Sequence, residues 1–315
     1  MTQYSINRDT ISTNYDRLRG HIRRTPVLLV AAEDLGLKGS EIHLKLELFQ
    51  HSGSFKARGA LTHFLLGDIP EAGVAAASGG NHGAAVAYAA KALHKPATIF
   101  VPEISSPAKQ ASIRALGANL EVIKGQYADA SDAAERHCVN TGAKNIHAYN
   151  QPETLVGQGS LALEFDAQSP RLSTILVAIG GGGLIGGMAA WYQGSTRLIG
   201  VEPETCATAK AALDVGRPVD VEVDVNGLAA DSLGARRVGS LPFPLIQSYV
   251  EDVLTVSDDA IRRAQALLWD KTRIVAEPGG AAALAALLSG AYVPDDNERI
   301  GIVICGANTT GIDFG

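Results

Sequence analysis

Four short segments of this sequence carry residue types that could do chemistry: SGSFKARGA (Ser52 to Ala60), SGGNHG (Ser78 to Gly83), GGGGLIGG (Gly180 to Gly187) and CGANTT (Cys305 to Thr310). Gly180, Gly181, Gly182 and Gly183 follow the apolar run TILVAI and precede the helical stretch LIGGMAAWYQ. Bare backbone N–H groups at the start of a helix cradle a phosphate, and the helix dipole adds to the attraction. Tight helix–sheet packing is the weaker explanation, because consecutive glycines lose much conformational freedom on folding. The run also satisfies G-x-G-x-x-G through Gly181, Gly183 and Gly186, with Glu202 near the place of a ribose-binding acid. On this motif alone a nicotinamide dinucleotide is a rival ligand.

Lys56 breaks the tie. It follows a Ser-Gly-Ser turn and opens the helical stretch KARGALTHFLLGD. An ammonium there opposes the helix dipole, and the small neighbours leave room beside it. A lone lysine is ordinarily a solvated surface charge. Paired with a glycine-rich phosphate loop, it supplies what a phosphorylated aldehyde needs: an amine to form an imine and a cradle for the phosphate. Cys305, taken by itself, reads as a small buried hydrophobe.

Something rigid must hold these loops. Short β-branched runs alternate with alanine-rich helical stretches. EIHLKLEL, PATIFVP, NLEVIKG, TILVAI, RLIGV, DVLTV and RIGIVIC read as strands. Gly83 to Lys91 and ASDAAERHCVNTGA read as helices, as does SPAKQASIRALGA, with Pro107 near its first turn and Gly117 at its end. This alternation predicts an α/β fold with open, mainly parallel sheets flanked by helices. Such sheets bind ligands at the carboxyl ends of their strands, where three of the four motifs lie. Residues 48–147 are expected to form a small mobile domain, and residues 1–47 and 148–315 a large cofactor-binding one.

The 315 residues allow real cores, and 46% hydrophobic with 19% charged residues argues against disorder. A net charge of −6 with no Lys/Arg run argues against a nucleic-acid partner. No stretch of about 18 apolar residues appears, so no membrane partner is expected. The N-terminus is polar and does not read as a signal peptide. Three well-separated cysteines argue against a disulfide framework, and a cytoplasmic home is expected.

Taken in order, RRTPV, HLKLELFQHSGSFKARGA, ASGGNHGAAVAYAA, VPEISSPAKQASIRALGA, GQGSLALE, GGGGLIGG, GVEPE, VAEPGGAA and VICGANTT resemble the fold-type II pyridoxal-phosphate (PLP) enzymes. The resemblance is to the tryptophan synthase β-like fold, and in particular to the serine/threonine dehydratase and serine racemase family. It implies that Lys56 forms the imine with PLP and acts as general base at Cα. It implies that Phe55 packs near the cofactor ring, Asn81 binds the ring hydroxyl, and Gly180, Gly181, Gly182 and Gly183 hold the phosphate. Ser78, Gly79, Gly80, Asn81 and His82 would receive the substrate carboxylate, and Cys305 would face the pyridine nitrogen. A neutral thiol there makes a weaker electron sink than an aspartate would favour, so loss of a β-hydroxyl is the easier course.

The implied activity is dehydration and deamination of L-threonine or L-serine to a 2-keto acid and ammonia, by a homodimer. The end of the chain shortly after RIGIVIC suggests a catabolic enzyme without amino-acid feedback. Departures from the family bear on the reaction. Racemase members carry a serine where this chain has Gly79, which removes a second acid/base. Glu202 matches one carboxylate of the family's cation site, but Thr208 stands in place of another, so no metal is expected. Asp231 matches a loop near the substrate, and Glu277 a glutamate near the ring. His51 lies close to the Lys56 turn. His21, His43, His63, His94, His137 and His147 show no ligand spacing and read as surface or local hydrogen-bonding groups. The rival readings are racemisation, elimination from a bulkier substrate (phenylserine, hydroxyaspartate or a hydroxyectoine-pathway intermediate), a nicotinamide-dependent oxidoreductase, and a non-catalytic PLP-binding protein.

Overall fold

Ten strands run along the described chain: β1 Val27–Val30, β2 Ile42–Leu46, β3 Val74–Ala77, β4 Ala97–Pro102, β5 Asn119–Ile123, β6 Lys144–Asn145, β7 Thr174–Ala178, β8 Arg197–Pro203, β9 Asp252–Val256 and β10 Ile300–Ile304. The helices are α1 Arg8–Leu18, α2 Lys56–Leu66, α3 Asn81–Ala92, α4 Pro107–Ala115, α5 Tyr127–Thr141, α6 Pro152–Gln168, α7 Gly183–Tyr192, α8 Thr208–Val215, α9 Ala230–Leu233, α10 Pro242–Tyr249, α11 Asp258–Thr272 and α12 Pro278–Leu288. The computed structural model describes residues 5–39 and 41–309; Met1 to Tyr4 of the polar N-terminal stretch and Thr310 of CGANTT lie outside the described residues.

The strands form two sheets, ordered β1-β2-β10-β7-β8-β9 and β5-β4-β3-β6. Every neighbouring pair is parallel except β1, which runs antiparallel to β2 at the edge. The expected α/β architecture is therefore the observed one. The four strands of the second sheet all lie between Val74 and Asn145, and those of the first come from the chain on either side.

Local chemistry accounts for much of this. Strands β7 and β10 are buried along their whole length, which is why they read as unbroken apolar runs. Helix α4 starts with Ser106 Oγ accepting from the Lys109 N–H and Pro107 in its first turn. Gly117 follows its end at φ +84°, a left-handed conformation that glycine tolerates. Strand β2 is where pattern and cause diverge. The alternation in EIHLKLEL ordinarily marks a strand with one wet face, yet His43 and Lys45 are both buried. Lys45 is held there by Glu164 and Gln168 of α6.

Helices α7 and α12 are buried nearly all round, packed with their sheet in one large core. A second core joins β3 and β4 to α2, α3 and the end of α1. The carboxyl ends of β3, β7 and β10 lead into SGGNHG, GGGGLIGG and CGANTT, as expected for loops that carry a site.

Candidate active site

The Lys56 turn is stitched to the segment after β10. The Phe55 N–H donates to the Cys305 carbonyl, and the Ala307 N–H to the Gly53 carbonyl. Two motifs 250 residues apart in sequence thus become one backbone unit, with Lys56 as the first residue of α2. Its Nζ donates to the Ala148 carbonyl at 2.9 Å and lies 5.1 Å from the Phe55 ring centroid. Burial pushes its pKa down to about 8, against the pull of Cys305 and Glu277. An amine in that range is readily unprotonated and therefore nucleophilic.

The glycine loop faces this amine. Gly182 sits at φ +90°, and a Cβ on Gly181 would stand 2.3 Å from Tyr149 Cδ1. Side chains are excluded here, so the loop offers backbone. The N–H groups of Gly183, Leu184 and Ile185 open α7, where no preceding turn supplies acceptors. Phe55, Lys56, Asn81, Tyr149, Gly180 to Gly183, Ser232, Leu233, Glu277 and Cys305 line one cavity. Bare N–H groups at one end and an amine in the same cavity are a donor set that fits PLP: the cradle takes a phosphate and the amine an aldehyde.

Asn81 opens α3 and is clamped from two sides. Its Nδ2 donates to Glu277 Oε1, and its Oδ1 accepts from Asn308 Nδ2, each at 2.6 Å. One N–H of the Asn81 amide is left for a ligand. Glu277 is buried, and that burial raises its pKa to about 7, against the Asn81 hydrogen bond. The Cys305 thiol, 3.4 Å from the Gly279 carbonyl, is likewise pushed up by burial and stays protonated and neutral.

Thus Phe55, Lys56, Asn81, Gly180, Gly181, Gly182, Gly183 and Cys305 come together around one cavity. Ser78, Gly79, Gly80 and His82 are not among its lining residues. The Gly80 N–H donates to Ser78 Oγ. A Cβ on Gly79 would stand 2.1 Å from Ser105 Oγ, so the Ser105 hydroxyl occupies that space. The His82 side chain is engaged elsewhere. Its Nε2 donates to the Ile146 carbonyl at 2.8 Å, and burial pushes its pKa down to about 3, so the ring is neutral and committed to the core. What remains there for a carboxylate is the backbone N–H of the first turn of α3.

Glu202, the acid that the dinucleotide reading requires, lies away from this cavity. It is fully buried, and its two oxygens accept from the Ala209 and Lys210 N–H groups at the start of α8. It is a helix cap. Thr208 Oγ1 donates to the Ala235 carbonyl. Asp231 pairs with Lys109, joining α9 to α4 beside the cavity. His51 stacks on Tyr88 with ring centroids 4.6 Å apart. His43 and His63 are buried and hydrogen-bonded to Ser169 and Thr154. Sequence reasoning missed Tyr149, Ser232 and the role of Asn308. Only Asn308 carried a signal, its place in CGANTT.

Behind the cavity, Arg58 forms a second constellation. Its guanidinium donates to Glu47 at 2.7 and 2.8 Å and to Glu164 at 2.8 and 3.2 Å. Lys45 Nζ completes it through Glu164, Gln168 and the Thr25 carbonyl.

Comparison with known proteins agrees with this geometry. Residues 18–306 match the family described as "Pyridoxal-phosphate dependent enzyme". The chain is 35% identical to a phenylserine dehydratase of Ralstonia pickettii, over 95% of this chain and 92% of that one. It is 36% identical to an L-threonine ammonia-lyase of Geobacter sulfurreducens, over 93% of this chain and 73% of that one. The solved structure of maize serine racemase superposes with a TM-score of 0.91 at 32% identity, covering 99% of this chain and 95% of that one.

Proposed function

Because this chain belongs to the pyridoxal-phosphate dependent enzymes, among the threonine and serine dehydratases and serine racemases, we propose that it dehydrates and deaminates L-threonine or L-serine. The observation that carries this reading is the Lys56 amine, depressed to a pKa of about 8, in one cavity with a side-chain-free glycine loop and a neutral Cys305.

PLP, when bound, supplies an aldehyde that joins to an amine and a conjugated ring that accepts electron density from Cα. The chain's own residues do the rest. The N–H groups of the glycine loop and the first turn of α7 hold the phosphate. Asn81, clamped by Glu277 and Asn308, turns its remaining N–H to the ring hydroxyl. The N–H groups at the start of α3 receive the substrate carboxylate. The Lys56 amine, freed when the substrate amine takes its place, accepts the Cα proton. The neutral Cys305 thiol would not stabilise a positive charge on the ring nitrogen, so charge built up at Cα would be relieved by departure of the β-hydroxyl as water, the Lys56 ammonium returning the proton it took from Cα. The unsaturated amine then tautomerises, and water hydrolyses it to a 2-keto acid and ammonia.

Gly79 carries no side chain that could act as a second base on the opposite face of Cα. We further propose that residues 48–147 form a small domain that closes over the cavity, with residues 1–47 and 148–315 as the larger one; the separate sheet memberships support that division. Closure would exclude water from the reacting groups.

The test is keto-acid formation by the PLP-loaded protein from L-threonine, L-serine and phenylserine, beside Lys56→Ala. Keto acid from threonine or serine, lost in the variant, is the expected result. Conversion of phenylserine alone would transfer the reading to a bulkier substrate. D-amino acid without keto acid would overturn it in favour of racemisation.

A further inference from the structure

We propose that His147 is a positioning residue that couples the Lys56 amine to the glycine loop, a role that rests on the function proposed above. His147 lies between β6 and α6, and its ring organises the turn that follows. Nδ1 accepts from the Tyr149 N–H at 3.3 Å and the Asn150 N–H at 3.1 Å. These are the donors two and three residues ahead, the pattern that an asparagine side chain makes in a turn. The His147 N–H donates to Gln151 Oε1 at 2.7 Å, and its carbonyl accepts from Thr154 Oγ1 at 3.1 Å.

The turn touches both ends of the cavity. The carbonyl of Ala148 accepts from Lys56 Nζ at 2.9 Å. The next residue, Tyr149, lies edge-on to the His147 ring, 4.7 Å between centroids at 88°, and against the glycine loop. A Cβ on Gly183 would stand 2.8 Å from Tyr149 Cβ. Tyr149 Oη donates to the Arg237 carbonyl, and Asn150 Oδ1 accepts from the Leu241 N–H. One imidazole thereby sets where the amine is held and where the phosphate cradle is buttressed. Two N–H donors on one nitrogen require that nitrogen to be unprotonated, and burial, then the Lys56 charge, favours the neutral ring.

The hydrogen bonds ask for an acceptor, not for an imidazole. His147→Asn should therefore preserve the turn, whereas His147→Leu leaves two backbone donors unpaired. The measurements are PLP affinity of the apoprotein by absorbance titration, the Lys56 adduct by mass after borohydride reduction, and the thermal midpoint. We expect His147→Leu to bind PLP about tenfold or more weakly, and His147→Asn to stay within about threefold of wild type. Wild-type affinity in His147→Leu overturns the proposal, and so does an equal loss in both variants. If His147→Leu does not fold, His147→Asn alone decides: near-wild-type affinity upholds the role and a tenfold loss overturns it. A wild-type protein with no adduct at Lys56 would sink the functional reading itself. A wild-type adduct with both variants unaffected sinks only His147.

Discussion

Lys56 and Arg58 stand two residues apart on α2, and desolvation lowers the pKa of both, yet their net shifts run in opposite directions. Around Arg58, two carboxylates close in, and Glu47 and Glu164 hold the guanidinium charged more firmly than water does. Glu47 in turn is held below the usual carboxylate range by Arg58 and Lys45, although its own burial opposes this. Lys56 has no carboxylate in contact. Its nearest hydrogen-bond partner is a carbonyl, and desolvation wins. Compensated burial makes a structural joint between α2, β2 and α6. Uncompensated burial makes a reactive amine. The joint holds the amine still because both lie on one turn of helix.

The largest expected effect tests the reactive half. Lys56→Ala should lower keto-acid formation by about two to four orders of magnitude, since under the proposed function it removes the proton acceptor as well as the attachment point. Its urea denaturation midpoint should not fall, because the amine removed is desolvated and paired with a carbonyl rather than a carboxylate. Retained turnover would place the base elsewhere.

Arg58→Met tests the other half. It leaves Glu47 and Glu164 buried with Lys45 as their nearby cation, so a stability loss of about 3–5 kcal/mol is expected by urea denaturation. A loss under about 1 kcal/mol would show that the network is not what fixes α2.

The pH dependence sharpens the contrast. The Lys56 pKa is depressed in the folded chain, so its contribution to stability is present above the unfolded value of 10.5 and is lost as pH falls through about 8. Glu277 is raised, so its contribution is present below 4.5 and is lost as pH rises through about 7. The apoprotein should therefore lose about 2 kcal/mol between pH 10.5 and 8 relative to Lys56→Met, read from denaturation midpoints across that window. Parallel profiles would contradict the depressed amine.

The smallest effect belongs to Cys305→Ser. One neutral hydrogen-bonding group replaces another, so turnover should stay within about tenfold of wild type, under about 1.4 kcal/mol in barrier. A larger change would give the thiol a role beyond neutrality.

The amino-acid sequence by itself determined many of the elements and the cofactor. Strand–helix alternation, Pro107 and Gly117 at the ends of α4, and loops at strand carboxyl ends are local signals, written in neighbouring residues. The glycine run and the Lys56 turn were legible for the same reason, since bare backbone and a lysine beside small residues can be read within a few positions. Tertiary structure alone decided which loops meet. Parallel sheets order their strands by packing rather than by sequence, so β10 settles between β2 and β7 and carries Cys305 to Phe55. The Asn81–Glu277 hydrogen bond spans 196 residues, and no local pattern announces such a contact. The His82 ring turns to Ile146, Glu202 becomes a cap, and Tyr149 reaches the cavity, each because burial forces a polar group to the nearest partner that the packed chain provides.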